Sequence, residues 1–427
     1  MKIRFVTLGC KLNFAESSAL GKELLLRGHQ RATLNEVPDV CVVNTCSVTD
    51  AADHKDRQAI NQLHRKYPNA TIVVTGCYAQ LQPEQISQID GVDYVLGQNE
   101  KYDIPQLIEE IEKHASIAST QEPHTNLQDK IRVAAIREVD DFHGVHSADD
   151  RTRCFIKVQD GCNYFCTYCT IPYARGKSRN PKIEEVVIDA QTALNQGAKE
   201  LIITGVNIGD FGRSTGEQFI DLLRAFDQLD GDYRVRISSC EPNLLTDEII
   251  DFVANSKHFA PHFHIPLQSG SNEVLAIMKR RYTRELFAER VQHIRKVMPH
   301  AFIGVDCMVG VRGETEACWE DYLTFIQRLD VSQLHVFTYS ERANTRMLEL
   351  DLYVVPKAER QRRSKILHAV SEEKTSAFYA QHAGRTAVVL WESKKEGDQM
   401  SGFTDNYIKV YGPYKKEKIN TFEEIVL

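Results

Sequence analysis

What the 427-residue chain lacks narrows its class first. It has no run of 18 apolar residues, so no segment reads as a membrane-spanning helix. Met1-Lys2-Ile3-Arg4-Phe5-Val6 leads straight into a strand pattern, without the charged, apolar and small-residue parts of a signal peptide, and a cytoplasmic protein is expected. Positive charge is not in excess: 52 Lys and Arg against 59 Asp and Glu leave a net charge of −7, so bulk electrostatics does not drive the chain onto nucleic acid. Low-complexity tracts are missing too. With 42% hydrophobic and 26% charged residues, 23 Gly and 13 Pro, the chain is neither disordered nor collagen-like. Nor is there an even set of disulfide staples. The 11 cysteines are an odd number in a chain long enough to bury a core without them, which leaves structural, catalytic or metal-bound thiols in a reducing compartment.

What is present falls into three regions. In residues 1–113, Ile3–Leu8, Val40–Asn44 and Ala70–Thr75 read as buried parallel strands, separated by helical spacing over Glu16–Arg27 and Lys55–Lys66. That alternation predicts a doubly wound α/β domain. Residues 114–153 lose apolar content, and Ser119–His124 reads as linker. From 154, six strands are expected (Cys154–Val158, Glu200–Thr204, Arg234–Ser238, His262–Pro266, Phe302–Val309 and Gln333–Tyr339). Helices fit between them at Ile183–Asn195, Phe219–Leu229, Thr246–Ala254, Arg284–Val297 and Glu316–Leu329. Six repeats fall short of the eight in a closed barrel, so an open (βα)6 partial barrel is predicted. A long Arg-rich helix follows from Pro356 to near Gly384, and the tail shows short β runs at Thr386–Trp391, Tyr407–Val410 and Glu424–Leu427, suggesting a small β-barrel.

Two cysteine trios carry the chemistry. Cys162-Asn163-Tyr164-Phe165-Cys166-Thr167-Tyr168-Cys169 is a C-x3-C-x2-C loop directly after the first barrel strand. Three thiolates so close can hold three corners of a 4Fe–4S cubane and leave the fourth iron open. Structural zinc would want a fourth ligand at matching spacing; Cys154, the best fallback, reads as core at the start of the preceding strand. Cys10, Cys46 and Cys77 each follow a predicted parallel strand, and carboxyl ends of such strands share one sheet edge, so their thiols should converge on a second cluster. Cys41 lies inside a strand and reads as a small buried hydrophobe.

The first loop resembles the cluster signature of radical S-adenosylmethionine enzymes, and the two trios together resemble the radical S-adenosylmethionine methylthiotransferases over essentially the whole chain. The matching stretches are Thr7–Asn13, Val43–Cys46, Gly76–Gln80, Ile156–Cys162, Ile171–Gly176 and His264–Ser271. The resemblance implies four segments. These are an amino-terminal domain holding the auxiliary cluster (1–113), a linker (114–153), the radical barrel with its following helix (154–370) and a TRAM-like RNA-binding domain (371–427). It implies two 4Fe–4S clusters, on Cys10, Cys46 and Cys77 and on Cys162, Cys166 and Cys169, together with S-adenosyl-L-methionine. In the implied mechanism one S-adenosylmethionine methylates a sulfur on the auxiliary cluster and a second yields a 5′-deoxyadenosyl radical that takes the C2 hydrogen of an adenine. Asn207, Ser239, Glu241, Gln268 and Glu314, all after barrel strands, are the candidate S-adenosylmethionine contacts, with no catalytic residue expected beyond the clusters.

Cys10-Lys11-Leu12-Asn13 followed by Glu16-Ser17 is similar to the branch acting on N6-threonylcarbamoyladenosine beside the anticodon of tRNA. Alternatives are the same chemistry on isopentenyladenosine or on a ribosomal-protein aspartate, and, more distantly, a non-catalytic iron–sulfur RNA-binding protein. Implied partners are a tRNA anticodon stem-loop and a one-electron reductase such as a flavodoxin or ferredoxin; the sulfur donor is not identified. Val311-Arg312 replaces the family's usual Phe-Pro. His262 and His264 share a strand face, more often a packing pair than a metal site; His124, His143 and His146 read as solvated. Two basic patches, Lys357–Val370 (five basic residues against one acidic) and Lys279–Arg284, suit RNA phosphates or a solvated face. The tail from Ser371 carries 8 basic and 9 acidic residues, so Tyr407, Tyr411 and Tyr414 would have to act locally on RNA.

Overall fold

The structure, a computed structural model, describes residues 1–33, 35–117, 130–136, 139, 141–147 and 152–427. It divides into two compact units. One comprises Met1–Ala148, Gly161–Asn163 and Cys169–Lys177; the other comprises Asp149–Asp160, Tyr164–Tyr168 and Ser178–Leu427.

The first unit is a doubly wound parallel sheet. Strands β1 (Lys2–Thr7), β2 (Gln30–Arg31), β3 (Val40–Thr45), β4 (Thr71–Gly76), β5 (Tyr94–Leu96) and β6 (Ile131–Arg132) lie in the order β2-β1-β3-β4-β5-β6. Strand β3 is buried at every residue because both faces are covered. Val40 and Val42 meet Leu20 and Leu24 of α1 (Lys11–Leu26) and Leu107 and Ile108 of α5 (Ile104–Ile117). On the opposite face Cys41 and Val43 meet Ile60 and Leu63 of α2 (Asp50–Lys66). Thr49 caps α2 by accepting from the Ala52 amide at 3.1 Å, and Asp50 and Asp53 begin the helix while His64, Arg65 and Lys66 end it, complementing its dipole. Two short helices, α3 (Cys77–Leu81) and α4 (Pro83–Ser87), complete the winding. The chain leaves β1 toward β2 at one edge and then returns to lay β3 on the other side of β1. The carboxyl ends of β1 and β3 therefore flank a topological switch point, the place where such sheets open a crevice.

Within 114–153, Ile131–Arg132 pairs in parallel with Val95 and Leu96 and a further strand, β7, forms at Val145–His146. Ser119–His124, with its His124, lies outside the described residues. His143 is not solvated as expected: its ring stacks on Tyr102 at 3.8 Å, and His146 is half-buried.

The second unit opens with β8 (Arg153–Lys157), β9 (Glu200–Thr204) and β10 (Arg234–Ile237), paired in parallel, and continues with β11 (His262–Gln268), β12 (Phe302–Val309) and β13 (Gln333–Thr338). Between β10 and β11 only single bridges join the two halves, at Val235–Phe259 and Ser239–His264. The result is the six-stranded partial barrel, with its helices within two or three residues of expectation. Α short helix of the first unit, α6 (Ile171–Arg175), precedes the outer helices α7 (Ile183–Asn195), α8 (Phe219–Phe226), α9 (Asp247–Asn255), α10 (Asn272–Ile277), α11 (Arg284–Val297) and α12 (Glu316–Arg328). Ile156, Ile203, Val235, Ile265 and Val305 from the strands pack with Leu222, Ile250, Ile294 and Ile326 from the helices; full burial of each such side chain contributes about 1.5–3 kcal/mol. Cys154, Cys240 and Cys307 belong to this core and Cys318 to a smaller one, as structural thiols.

Helix α13 (Lys357–His382) leads to a curled antiparallel sheet of β14 (Thr386–Glu396), β15 (Gln399–Thr404), β16 (Lys409–Pro413) and β17 (Phe422–Val426), ordered β16-β15-β14-β17. The strand expected from Tyr407 begins later because Tyr407 is a turn residue with φ +67°. Its ring lies among His262, Phe302 and Phe403 beneath the barrel, with Arg236 4.9 Å from its centroid. There Glu200, fully buried, takes Arg234 at 2.6 Å and Arg236 at 3.1 Å. Burial alone would push the Glu200 carboxyl up; Arg236, Arg234 and Arg153 outweigh it and hold it at about 2. The two arginines also donate to the carbonyls of Phe403 and Asp405, tying tail to barrel.

Candidate functional site

In the first unit, the three predicted cysteines stand at one sheet edge. Cys10 follows β1 and caps the start of α1, Cys46 follows β3, and Cys77 follows β4 as the first residue of α3. Cys10 is exposed; Cys46 and Cys77 are buried. Gly9, at φ +95°, permits this approach, since a Cβ there would sit 2.5 Å from the Cys46 Cβ and 2.8 Å from its Sγ. Burial pushes the Cys46 thiol up to about 12, with Cys77 and Cys10 near enough to add to the rise. Burial also raises Cys77, against the pull of Arg175.

Buried charges back these thiols. Arg175 of α6, 1% exposed, donates to Asn13 Oδ1 at 2.7 Å and Glu16 Oε1 at 3.0 Å. Lys101, also fully buried, takes the other Glu16 oxygen at 2.6 Å. Asn13 in turn donates to the carbonyls of Leu8 and Thr45, at the ends of β1 and β3, both at 2.9 Å. Asn13 and Glu16 thus work as the socket for Arg175. Two cations share one carboxylate beside three thiols, so thiolate charge there would be compensated.

The second loop is divided by the partition of the chain: Cys162 and Cys169 belong to the first unit and Cys166 to the second. Gly161, at φ +69°, enters the loop where a Cβ would collide with the Lys177 carbonyl, and the Cys162 amide donates to the Gly176 carbonyl at 3.0 Å. In the second unit, Phe165 holds a left-handed φ of +51°. The Tyr164 hydroxyl accepts from Asn243 at 2.8 Å, and the Arg281 guanidinium covers its ring at 4.0 Å. Gln159 Oε1 accepts the Val206 and Asn207 amides at 3.0 and 2.8 Å, fixing the turn after β9.

The five cofactor candidates separate on this geometry. Asn207 is 3% exposed and neither atom of its amide has a hydrogen-bond partner; Gln268, strained at φ +64°, has a buried, unpartnered Oε1. Each leaves a buried polar atom that a ligand could engage. Ser239 Oγ contacts His264 Nδ1 at 2.7 Å, and His264 Nε2 contacts Asp306 at 2.7 Å. Glu241 pairs with the buried Arg280. Glu314 Oε1 takes Arg363 of α13 at 2.6 Å and the Gly310 amide at 3.0 Å, tying the loop after β12 to that helix, while its Oε2 is buried without a hydrogen-bond partner. The Val311-Arg312 departure is absorbed, with Val311 fully buried and Arg312 donating to Glu341 at 3.0 Å.

In both basic patches some of the arginines serve internal contacts, while Lys279, Arg281, Lys357, Arg362 and Lys365 are exposed. Arg360 donates to the Val355 and Tyr339 carbonyls, Arg362 pairs with Glu359 and Glu316, and Arg363 is buried on Glu314. Arg284 pairs with Asp321 and Arg280 is buried. His262 is no metal ligand partner for His264, since its ring stacks on Phe302. In the tail Tyr407 is packed and Tyr414 lies against the Trp391 core, while Tyr411 is 52% exposed with Lys409 4.7 Å from its ring centroid.

The radical SAM superfamily matches residues 156–326, and uncharacterized protein family UPF0004 matches residues 2–97. Among solved structures, the radical S-adenosylmethionine methyltransferase TsrM from Kitasatospora setae, with tryptophan substrate and aza-SAM bound, is similar with TM-score 0.58 and 17% identity. The likeness covers 78% of this chain and 72% of that one, and shows the fold alone. The class is thus a radical SAM barrel carrying an additional amino-terminal domain. The threonylcarbamoyladenosine tRNA methylthiotransferase MtaB of Bacillus subtilis (strain 168) is 35% identical over 414 residues, 96% of this chain and 89% of that protein. The tRNA-2-methylthio-N(6)-dimethylallyladenosine synthase of Desulfitobacterium hafniense (strain Y51) is 29% identical over 437 residues, 100% of this chain and 94% of that protein. The chain belongs to the radical S-adenosylmethionine methylthiotransferase family.

Membership brings S-adenosylmethionine and 4Fe–4S clusters as cofactors. The residues of the first unit fit a cluster: three thiols, cations behind them, and a crevice at the switch point. Among the described residues no three His, Cys, Asp or Glu side chains gather tightly enough for a single metal ion. A cubane makes no such demand, because its thiolates bind different irons.

Proposed function

We propose that this enzyme converts N6-threonylcarbamoyladenosine at position 37 of tRNA, beside the anticodon, to its 2-methylthio derivative in the cytoplasm. The observation that carries the reading is the set of three cysteines following β1, β3 and β4, in a chain that also has a C-x3-C-x2-C loop after the first barrel strand. Each trio supplies three thiolates and leaves one iron of a cubane for another ligand. Cys162, Cys166 and Cys169 hold the cluster that serves S-adenosylmethionine, and Cys10, Cys46 and Cys77 hold the auxiliary one. When bound, these clusters supply the single electron for sulfonium cleavage and an open iron at which sulfur can be attached. Asn207 and Gln268 bind polar groups of S-adenosylmethionine, and Ser239, fixed by His264, lines the same set of strand ends. Residues 1–113 serve the auxiliary cluster, 154–370 the cofactor, and 371–427 the RNA, with exposed Tyr411 and half-buried Lys409 beside it as the stacking and phosphate pair of the tail. A flavodoxin or ferredoxin supplies electrons.

The assignment of substrate rests on the likeness to the B. subtilis protein at 35% identity and on the Lys11-Leu12-Asn13 context. A nucleoside digest of RNA from a deletion strain should lack 2-methylthio-N6-threonylcarbamoyladenosine and regain it on complementation. An unchanged level of that nucleoside, with loss of the methylthio-isopentenyl product instead, would reject the substrate.

A further inference from the structure

The run Lys279-Arg280-Arg281-Tyr282-Thr283-Arg284 looks in sequence like a surface for phosphates, yet its second residue is buried, with a side chain 4% exposed. Lys279 makes the turn that sends it inward, at φ +56° just after α10. Every nitrogen of the Arg280 guanidinium then meets a protein group. Nη1 lies 3.2 Å from Cys166 Sγ and 3.5 Å from the Tyr168 hydroxyl, Nε donates to the Tyr282 hydroxyl at 3.0 Å, and Nη2 is paired with Glu241. Tyr282 is itself anchored, donating to the carbonyls of Pro266 and Leu267 at the end of β11. A planar cation placed this way is held rigidly against one sulfur, with one carboxylate opposing its charge.

We propose that Arg280 sets the reduction potential of the cluster held by Cys162, Cys166 and Cys169, by donating a charged N–H to the Cys166 sulfur, with Glu241 as the counterweight. The inference rests on the assignment of that trio to a cluster. A cluster accepting one electron becomes more negative, and donors to its sulfurs stabilise the reduced form. Arg280 therefore raises the potential and Glu241 lowers it. No bond is made or broken: one electron from an external reductant enters the cluster. Arg280 is a positioning and tuning residue, not a catalytic one.

The full-length protein, reconstituted anaerobically and titrated with dithionite under potential control, tests this by electron paramagnetic resonance. The signal that changes on adding S-adenosylmethionine marks the cluster in question. Arg280→Gln should make the reduced-to-oxidised ratio at a fixed potential about tenfold smaller, about 59 mV for a one-electron couple. Glu241→Gln should shift it in the opposite direction, and Arg280→Lys should fall between wild type and Arg280→Gln. A merely structural role would move neither potential, or both the same way, and either result in variants with wild-type iron content overturns the proposal. If Arg280→Gln fails to fold, the opposite-sign shift of Glu241→Gln decides it. Iron analysis before titration separates the two readings: a wild-type chain that binds no iron through Cys162, Cys166 and Cys169 removes the cluster assignment itself.

Discussion

The thiols of the two units are both backed by a buried arginine and a glutamate, but the charge balance differs. Beside Cys77, Arg175 and Lys101 share Glu16; beside Cys166, Arg280 pairs with Glu241. The first arrangement sets two buried cations against the Glu16 carboxylate, and the second sets one against Glu241. Burial pushes the Cys46 thiol up to about 12, and a thiolate ligand there needs compensating charge, which Arg175 and Lys101 stand close by to give. The difference fits a site with two buried thiols and one exposed thiol in one unit and a loop cysteine fixed by one directed N–H in the other.

The largest expected effects separate the two sites outright. Cys162→Ala should abolish 5′-deoxyadenosine formation from S-adenosylmethionine under dithionite, whereas Cys46→Ala should leave that cleavage intact and stop methylthio transfer to tRNA. Equal loss of both activities in both variants would erase the distinction. Next in size, Arg175→Met takes one buried cation away from Glu16. Removing one partner of a buried pair costs about 3–5 kcal/mol, seen in chemical denaturation, and iron content should fall from about eight toward about four per chain.

Glu200→Gln sharpens the comparison from outside it. The same stability loss, about 3–5 kcal/mol, is expected without loss of iron, because this network ties barrel to tail and touches no cysteine. Its pH dependence has a defined sign. The Glu200 carboxyl sits at about 2 in the folded chain against an ordinary 4.5, so its contribution is complete above 4.5 and is lost as pH falls toward 2. The stability gap between wild type and variant should close over that window. Asn207→Ala should raise the KM for S-adenosylmethionine about tenfold, with kcat little changed if the amide only binds. The smallest effect is expected at Tyr411→Ala, about 1 kcal/mol in tRNA affinity by gel shift, from loss of one exposed stacking ring.

Much of the fold was legible because its strands are β-branched runs and its barrel helices carry regular apolar spacing. Where polar residues occupy buried positions the pattern broke. Helix α1 begins at Lys11 and not near Glu16, because its first turns bury Asn13, Glu16 and Ser17 among Leu12 and Ala15, which breaks up the apolar pattern. Strand β15 went unseen, its Gln399-Met400-Ser401-Gly402 lacking β-branched residues. The cysteines were legible by spacing and by their place after strands. Their supporting charges were not: Arg175 and Glu16 sat in matching motifs without a role, Lys101 had no signal at all, and Arg280 was hidden in a run that reads as a phosphate surface.

Residue order alone determined the two trios, the six strand–helix repeats and the family, because each of those is written in local spacing. Which charges face inward was decided only by the folded chain. A side chain 159 residues away, Arg175 against Glu16, or 114 away, Arg280 against Cys166, becomes a partner through burial, and burial belongs to the packing of whole elements. Electrostatics in a low-dielectric interior depends on who is nearby in space, which no periodicity encodes.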